Sequence, residues 1–189
     1  SCEVDVRDLP SQQDVRIGIK FIMFAQNENI IIRAAEPIDA ELIYKWENDK
    51  EIWRVSETYM PYSLYQIEQF LLNNNDLFSI RQIRFIIEKK DDDTNIGCID
   101  LYDFDPIHMR AGIGILLQKD YRKQGYAHEA LELILDYCFN TLILKQVYCL
   151  IDELNADSIN LFKKIGFVQC GLRKEWIRTT NGFIDELEF

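Results

Sequence analysis

Glycine and proline are scarce, at 8 and 4 of 189 residues. That excludes collagen-like and low-complexity chains, whose composition cannot support a packed core. No apolar run approaches the ~20 residues that a membrane-spanning helix requires, so no membrane partner is expected. No two cysteines stand in CxxC spacing, and the total is odd: Cys2, Cys98, Cys138, Cys149 and Cys170. Neither a thiolate zinc site nor a disulfide framework is expected, and no metal is expected. Cys98, Cys138 and Cys149 lie inside apolar stretches and read as small buried hydrophobes. No basic-then-apolar leader opens the chain, and the expected compartment is a reducing cytoplasm. Positive charge is in short supply too. The 21 basic residues against 32 acidic ones leave a formal charge of −11. A phosphate backbone repels such a chain, so nucleic acid is not an expected partner. A cationic small substrate suits it better.

What is present fits one soluble folded domain. The chain is 48% hydrophobic and 28% charged, and long enough to bury a core without staples. Residues 1–29 read as an N-terminal extension or as an extra edge strand, with Val15, Ile17, Ile19 and Phe21 alternating as in a strand. The main domain is expected over 30–189. Ile30–Arg33 reads as a strand. Asp39 is a candidate cap for a helix carrying Leu42, Ile43 and Trp46. Ser63 with Gln66 forms a capping-box pattern ahead of Leu64, Ile67, Phe70 and Leu71. Three strands follow, over residues 83–88, 96–104 and 111–117, with Asp91, Asp92 and Asp93 in a solvated turn. A polar loop over 120–127 leads into a helix with Leu131, Ile134, Leu135 and Cys138 on one face. Val147–Ile151 reads as one buried strand. Asn155 caps a short helix that Gly166 closes. Asn181-Gly182 favours a type I′ hairpin between the last two strands. The fold class is α+β: a mixed, mostly antiparallel sheet flanked by helices.

The chemistry concentrates after the third central strand. Arg122-Lys123-Gln124-Gly125-Tyr126-Ala127 enters a helix, where unpaired N–H groups and the helix dipole attract phosphate oxygens. Gly125 and Ala127 leave the backbone bare enough for a pyrophosphate to approach. Rival phosphate motifs fail. There is no GxxxxGK[ST], and Gly112-Ile113-Gly114 lacks the third glycine of a dinucleotide fingerprint. His128-Glu129-Ala130 does not continue to a second histidine.

This segment resembles the (Q/R)xxGx(G/A) acetyl-CoA signature of the GNAT N-acetyltransferases. Asn155 to Phe167, ending Lys164-Ile165-Gly166-Phe167, resembles that superfamily's second cofactor segment. Gly97 to Leu101 and His108 to Ala111 resemble the central hairpin of its spermidine and ribosomal-protein N-terminal branch. The resemblance implies acetyl-CoA as co-substrate and direct attack by a primary amine in a ternary complex. It implies that main-chain groups of Ile115, Leu116 and Leu117 hold the acetyl carbonyl and the pantetheine arm. It implies that amides from Arg122, Lys123, Gln124, Gly125, Tyr126, Ala127 and His128 hold the pyrophosphate. It assigns Asn155, Ser158, Phe162 and Lys164 to the cofactor as well. Phe162 stands where many members carry the tyrosine that protonates the leaving thiolate, and phenylalanine has no proton to give.

Asp100 and Asp103 are the candidate base or substrate carboxylates, and Glu57 is a candidate substrate contact. An amine arrives protonated, with a pKa of ~10.4 for a lysine-like group, so a carboxylate or a water must relieve it of a proton. His108 reads as a turn residue. Trp46, Trp53 and Tyr59 read as core or cleft wall. The expected acceptor is a polyamine or another small amine. The alternatives are N-terminal acetylation of a ribosomal or other protein, and a non-catalytic acyl-CoA-binding module. A homodimer is expected by analogy.

Overall fold

A computed structural model describes residues 23–49, 60–73 and 77–189. The larger sheet holds β1 (Met23–Gln26), β2 (Ile30–Ala34), β3 (Ile83–Lys89), β4 (Asn95–Asp105), β5 (Arg110–Leu117) and β6 (Gln146–Tyr148), in that spatial order. A smaller sheet runs β7 (Leu150–Asp152), β9 (Gly182–Glu188), β8 (Gly171–Thr179). The helices are α1 (Ala40–Glu47), α2 (Leu64–Asn73), α3 (Leu77–Ile80), α4 (Tyr126–Asp136) and α5 (Ala156–Ile165). All pairings are antiparallel except β5 with β6. The expected α+β class is the observed one.

The pleat sorts the strands between two cores. Successive side chains point to opposite faces, so Phe85 and Ile87 of β3 enter one cluster while Ile86 enters the other. Ile99 and Leu101 of β4 follow the first, and Cys98 the second. Because both faces are covered, these strands read as apolar runs rather than as alternation. Ala130, Leu131 and Ile134 of α4 and Phe162 of α5 cover one face. Ile43 and Trp46 of α1 and Ile67 and Leu71 of α2 cover the other. No helix among the described residues is long and apolar enough to cross a membrane.

The local signals that depend on near neighbours hold. The Ser63 amide donates to Gln66 Oε1 at 2.8 Å, and the Gln66 amide to Ser63 Oγ at 3.1 Å. Asn155 Oδ1 accepts the Ser158 N–H at 3.2 Å, and Gly166 closes α5 at φ 107°. Asp91, Asp92 and Asp93 are exposed in their turn, with Lys89 pairing the first two. Trp46 is core.

Four expectations change. Asp39 does not cap α1 with its side chain, because that carboxylate is taken by Arg33 and by the Glu36 N–H. The β8–β9 hairpin forms, but only Gly182 (φ 124°) takes positive φ there, whereas a type I′ turn needs two such residues. Val147–Ile151 is not one strand but the junction of β6 and β7, which belong to different sheets. The main sheet also begins before Ile30, since β1 pairs with β2. Val15 to Phe21, Trp53, Glu57 and Tyr59 lie outside the described residues.

Cys98, Cys138 and Cys149 are buried, and burial pushes each thiol up to about 12. The thiolate is the reactive form, so these three are inert while the fold holds. Cys170 is exposed. In a Cys2→Ser variant, a disulfide reagent at pH 8 is expected to titrate one thiol in the native protein and four after unfolding.

Candidate active site

The site begins where β5 and β6 part. They pair only at Arg110–Gln146, Ala111–Val147 and Gly112–Tyr148. Beyond that point β5 keeps β4 as its partner through Leu117, while the other chain turns off to join β9. The backbone of Cys149 and Phe189 explains the turn: each donates to the other at 3.0 Å. The result is a wedge-shaped opening along one edge of β5.

Which groups face this opening follows from alternation. The Gln118 N–H donates to Ile96 O on the β4 side. Leu117 O instead accepts Arg122 Nε at 2.9 Å, away from β4. Ile113, Ile115 and Leu117 therefore turn their main-chain groups toward the opening, and Gly114 and Leu116 turn theirs toward β4. The side chains are used up in packing: Ile115 against one core and Leu116 against the other. Of the three expected strand residues, Ile115 and Leu117 present main-chain groups to the opening, and Leu116 does not.

The start of α4 lies just beyond the strand end. Lys123 (φ 60°) and Gly125 (φ 97°) both take left-handed backbone, which bends the loop into the helix. No side chain caps α4. The amides of Tyr126, Ala127 and His128 donate to no backbone carbonyl among the described residues. His128 Nδ1 is buried and lacks a partner as well. Such a run of unpaired donors fits a phosphate group. The Arg122 amide does not join it, since it donates to Lys119 O at 3.3 Å. The Arg122 side chain fastens the loop to β5, and Gln124 Nε2 fastens it to Asp120 O at 2.6 Å. Lys123 Nζ pairs with Asp157 of α5 at 3.2 Å, and both side chains are exposed. The two helix starts thus face each other across the loop.

Glu129, absent from the expected set, braces this loop. Its carboxylate accepts Asn27 Nδ2 at 2.7 Å and Asn29 Nδ2 at 3.0 and 3.2 Å. That ties the β1–β2 turn to the first turn of α4. The signal was a carboxylate in the first turn, which a helix dipole favours, but its partners lie about a hundred residues earlier in the chain.

On α5 the expected residues separate. Asn155 and Ser158 sit at the helix start, engaged with each other. Phe162 is core, packed edge-on against Phe167 with ring centres 5.1 Å apart. Lys164 is exposed in the last turn, about 13 Å along the axis from Asn155, so it stands apart from the helix start.

The face beneath α1 and α2 carries the acidic groups. Arg84, Asp100 and Gly114 lie side by side across β3, β4 and β5. Arg84 grips Asp100 with Nε and Nη2, both at 2.7 Å, and Glu47 of α1 with Nη1 at 2.5 Å. Burial works against the Arg84 charge, yet its acidic neighbours, Asp100 foremost and Glu47 with it, together outweigh burial and hold the guanidinium well above its ordinary value. Both oxygens of Asp100 are thus held by Arg84. Asp103 differs: it stands at an irregularity in the β4–β5 register, at φ 48°, exposed, with Tyr148 Oη 3.5 Å from its Oδ2. His108 is an exposed turn residue whose amide donates to Asp105 at 3.0 Å.

A cleft edged by main-chain donors, with an uncapped helix start at one end and carboxylates beside it, fits an acyl transferase that takes its acyl group from a phosphate-bearing carrier. Residues 29–168 match the acetyltransferase (GNAT) domain, and the chain belongs to that family of acetyl-CoA-dependent N-acetyltransferases. It is 26% identical to a spermidine N(1)-acetyltransferase of Escherichia coli K12 over 139 residues, 74% of this chain and 73% of that protein. It is 27% identical over 163 residues to an uncharacterized N-acetyltransferase, p20, of Bacillus licheniformis, covering 86% and 92%. The crystal structure of a Vibrio cholerae spermidine N-acetyltransferase in complex with CoA and spermine superposes with a TM-score of 0.77 at 25% identity. It covers 86% of this chain and 94% of that one.

Proposed function

We propose that this protein transfers the acetyl group of acetyl-CoA to a primary amine of the polyamine class. The observation that carries the reading is the unpaired edge of β5 leading to the uncapped start of α4. When bound, acetyl-CoA supplies an activated acyl thioester. The Ile115 N–H then serves as donor to the thioester oxygen, where negative charge grows during attack. The Leu117 main chain serves the pantetheine arm, and the Tyr126, Ala127 and His128 amides serve the pyrophosphate. Asn155, at the start of α5, lies across the loop from these amides. Asp103, four residues along β4 from the cross-strand partner of Ile115, takes through intervening water the proton that the incoming amine must lose, and Asp100 with Glu47 and Arg84 forms the acidic floor that favours a cation. No residue at Phe162 protonates the thiolate, so the thiol pKa of ~8.5 makes unassisted departure the working mechanism.

The likeness to enzymes described as acting on spermidine supports a polyamine as acceptor. The net charge of −11 supports it independently. Self-association as a homodimer belongs to the same reading. Its support is the outer strand β8, which exposes Leu172 and Trp176.

Free-thiol release from acetyl-CoA, measured across spermidine, spermine, simple alkylamines and N-terminal peptides, tests this. Release is expected with spermidine or spermine, and an Asp103→Asn variant is expected to lose kcat with little change in KM for acetyl-CoA. Release with peptides alone would replace the acceptor by a protein N-terminus. Acetyl-CoA binding without release from any amine would make the protein a binding module.

A further inference from the structure

Two glycines in the middle of a buried strand cost stability unless something needs their bareness. Gly112 and Gly114 of β5 stand at the closed end of the opening, on the face beneath α1 and α2. A Cβ on Gly112 would overlap the ring of Tyr102, its cross-strand partner. A Cβ on Gly114 would meet the same ring only at Cε1, 3.9 Å away. The Tyr102 ring thus lies flat across β5, on Gly112 and up to the border of Gly114. Its hydroxyl faces the Leu150 N–H, the first residue of the diverging strand. Alternation from Cys149, which bonds to β9, turns Leu150 toward β5. Tyr102 therefore spans the opening at its apex. The Tyr148 ring backs it edge-on, with centres 6.0 Å apart at 83°.

We propose that Tyr102 limits the length of acyl chain the site accepts, by filling the space over Gly112 and Gly114 at the closed end of the opening. This rests on the acyl-CoA reading above. An acyl group held at the Ile115 N–H has Gly114 as its neighbour along the strand, about 3.4 Å away. Gly114 offers no side chain, so the first one met toward the apex is the Tyr102 ring. An acetyl methyl stops short of it. Each further methylene runs toward a ring that Gly112, Tyr148 and Leu150 hold from three sides. The ring carries the selection, and the hydroxyl serves only to hold it against Leu150.

The test is calorimetric titration of acetyl-CoA, propionyl-CoA and butyryl-CoA into the wild type, Tyr102→Phe and Tyr102→Ala, which needs no knowledge of the acceptor. A site that excludes one methylene discriminates by about tenfold, so the wild type is expected to bind acetyl-CoA at least that much more tightly than butyryl-CoA. Tyr102→Phe is expected to keep that ratio, and Tyr102→Ala to bring it within about threefold of unity. Should Tyr102→Ala not fold, Tyr102→Leu keeps an apolar contact with Tyr148 and is expected to shift the ratio in the same direction. An unchanged ratio in the shortened variants overturns the proposal, as does an equal loss in Tyr102→Phe or a wild-type ratio near one. If the wild type binds none of the three thioesters, the acyl-CoA reading itself falls.

Discussion

Asp39→Ala is expected to cost about 3–5 kcal/mol of stability, the penalty for removing one partner of a buried ion pair. Asp39 and Arg33 are almost wholly shielded from solvent. Two parallel contacts join them, Arg33 Nη1 to Oδ2 and Nη2 to Oδ1, both 2.8 Å. The second oxygen of this network, Oδ2, also accepts the Glu36 N–H at 2.9 Å, which sets the entry of the chain into α1. Among the partners that remain to the guanidinium are Glu88 at 3.1 Å, Asn95 at 3.2 Å and the Ala34 carbonyl at 3.2 Å. None of these replaces a bidentate partner. For a domain of this size the loss lowers the melting temperature by about 10 °C. A double variant, Arg33→Met with Asp39→Leu, is expected to be more stable than Asp39→Ala alone, because the buried guanidinium leaves together with its bidentate partner. Thermal unfolding of both decides it, and an Asp39→Ala protein within about 1 kcal/mol of the wild type would show the pair to be dispensable.

The second large effect concerns Gly125. Gly125→Val is expected to weaken acetyl-CoA binding by at least about tenfold, since it places a branched side chain beside the unpaired amides and disturbs their direction. Strain contributes separately. A β-branched residue at φ 97° costs on the order of 1–2 kcal/mol of folding stability. Gly166 supplies the control. It closes α5 at φ 107°, with nothing within 4 Å of a Cβ. Gly166→Val is expected to show the same loss of stability with acetyl-CoA affinity unchanged. Calorimetry and thermal unfolding on the pair separate strain from site. Equal affinities in the two variants would remove the phosphate role from the α4 start.

These two residues also show where the sequence was legible. Gly125 belongs to a contiguous motif whose chemistry lies within six residues, and the same holds for the Ser63–Gln66 box and the Asn155 cap. Asp39 looks identical to a cap locally. Its partner Arg33 lies on another element, and the buried guanidinium outcompetes the helix amides for the carboxylate. Val147–Ile151 reads as one strand because an apolar run does not say which neighbour it will pair with. The switch of partner at Cys149 is set by Phe189, the far end of the chain. Asp100 and Asp103 are three residues apart and alike in sequence. Only the register places one under Arg84 and the other in the open. Tyr102 did leave a trace: a Gly-x-Gly within a strand signals close approach, and here the approaching group comes from β4. Glu129 left only its place in the first turn of α4, since its two asparagines are visible only once β1 and β2 dock on α4.

The unpaired half of β5 has one more consequence. An edge that recognises its ligand through main-chain groups asks little of the side chains of Ile113, Ile115 and Leu117, which answer to the core beside them. Recognition and packing are thereby uncoupled on the same three residues. Substitutions among similar apolar residues can drift through this strand while the row of donors stays in place. An exposed strand edge ordinarily invites a neighbouring chain to add itself. Here the neighbouring strand on that side, β7, already has β9 as its partner.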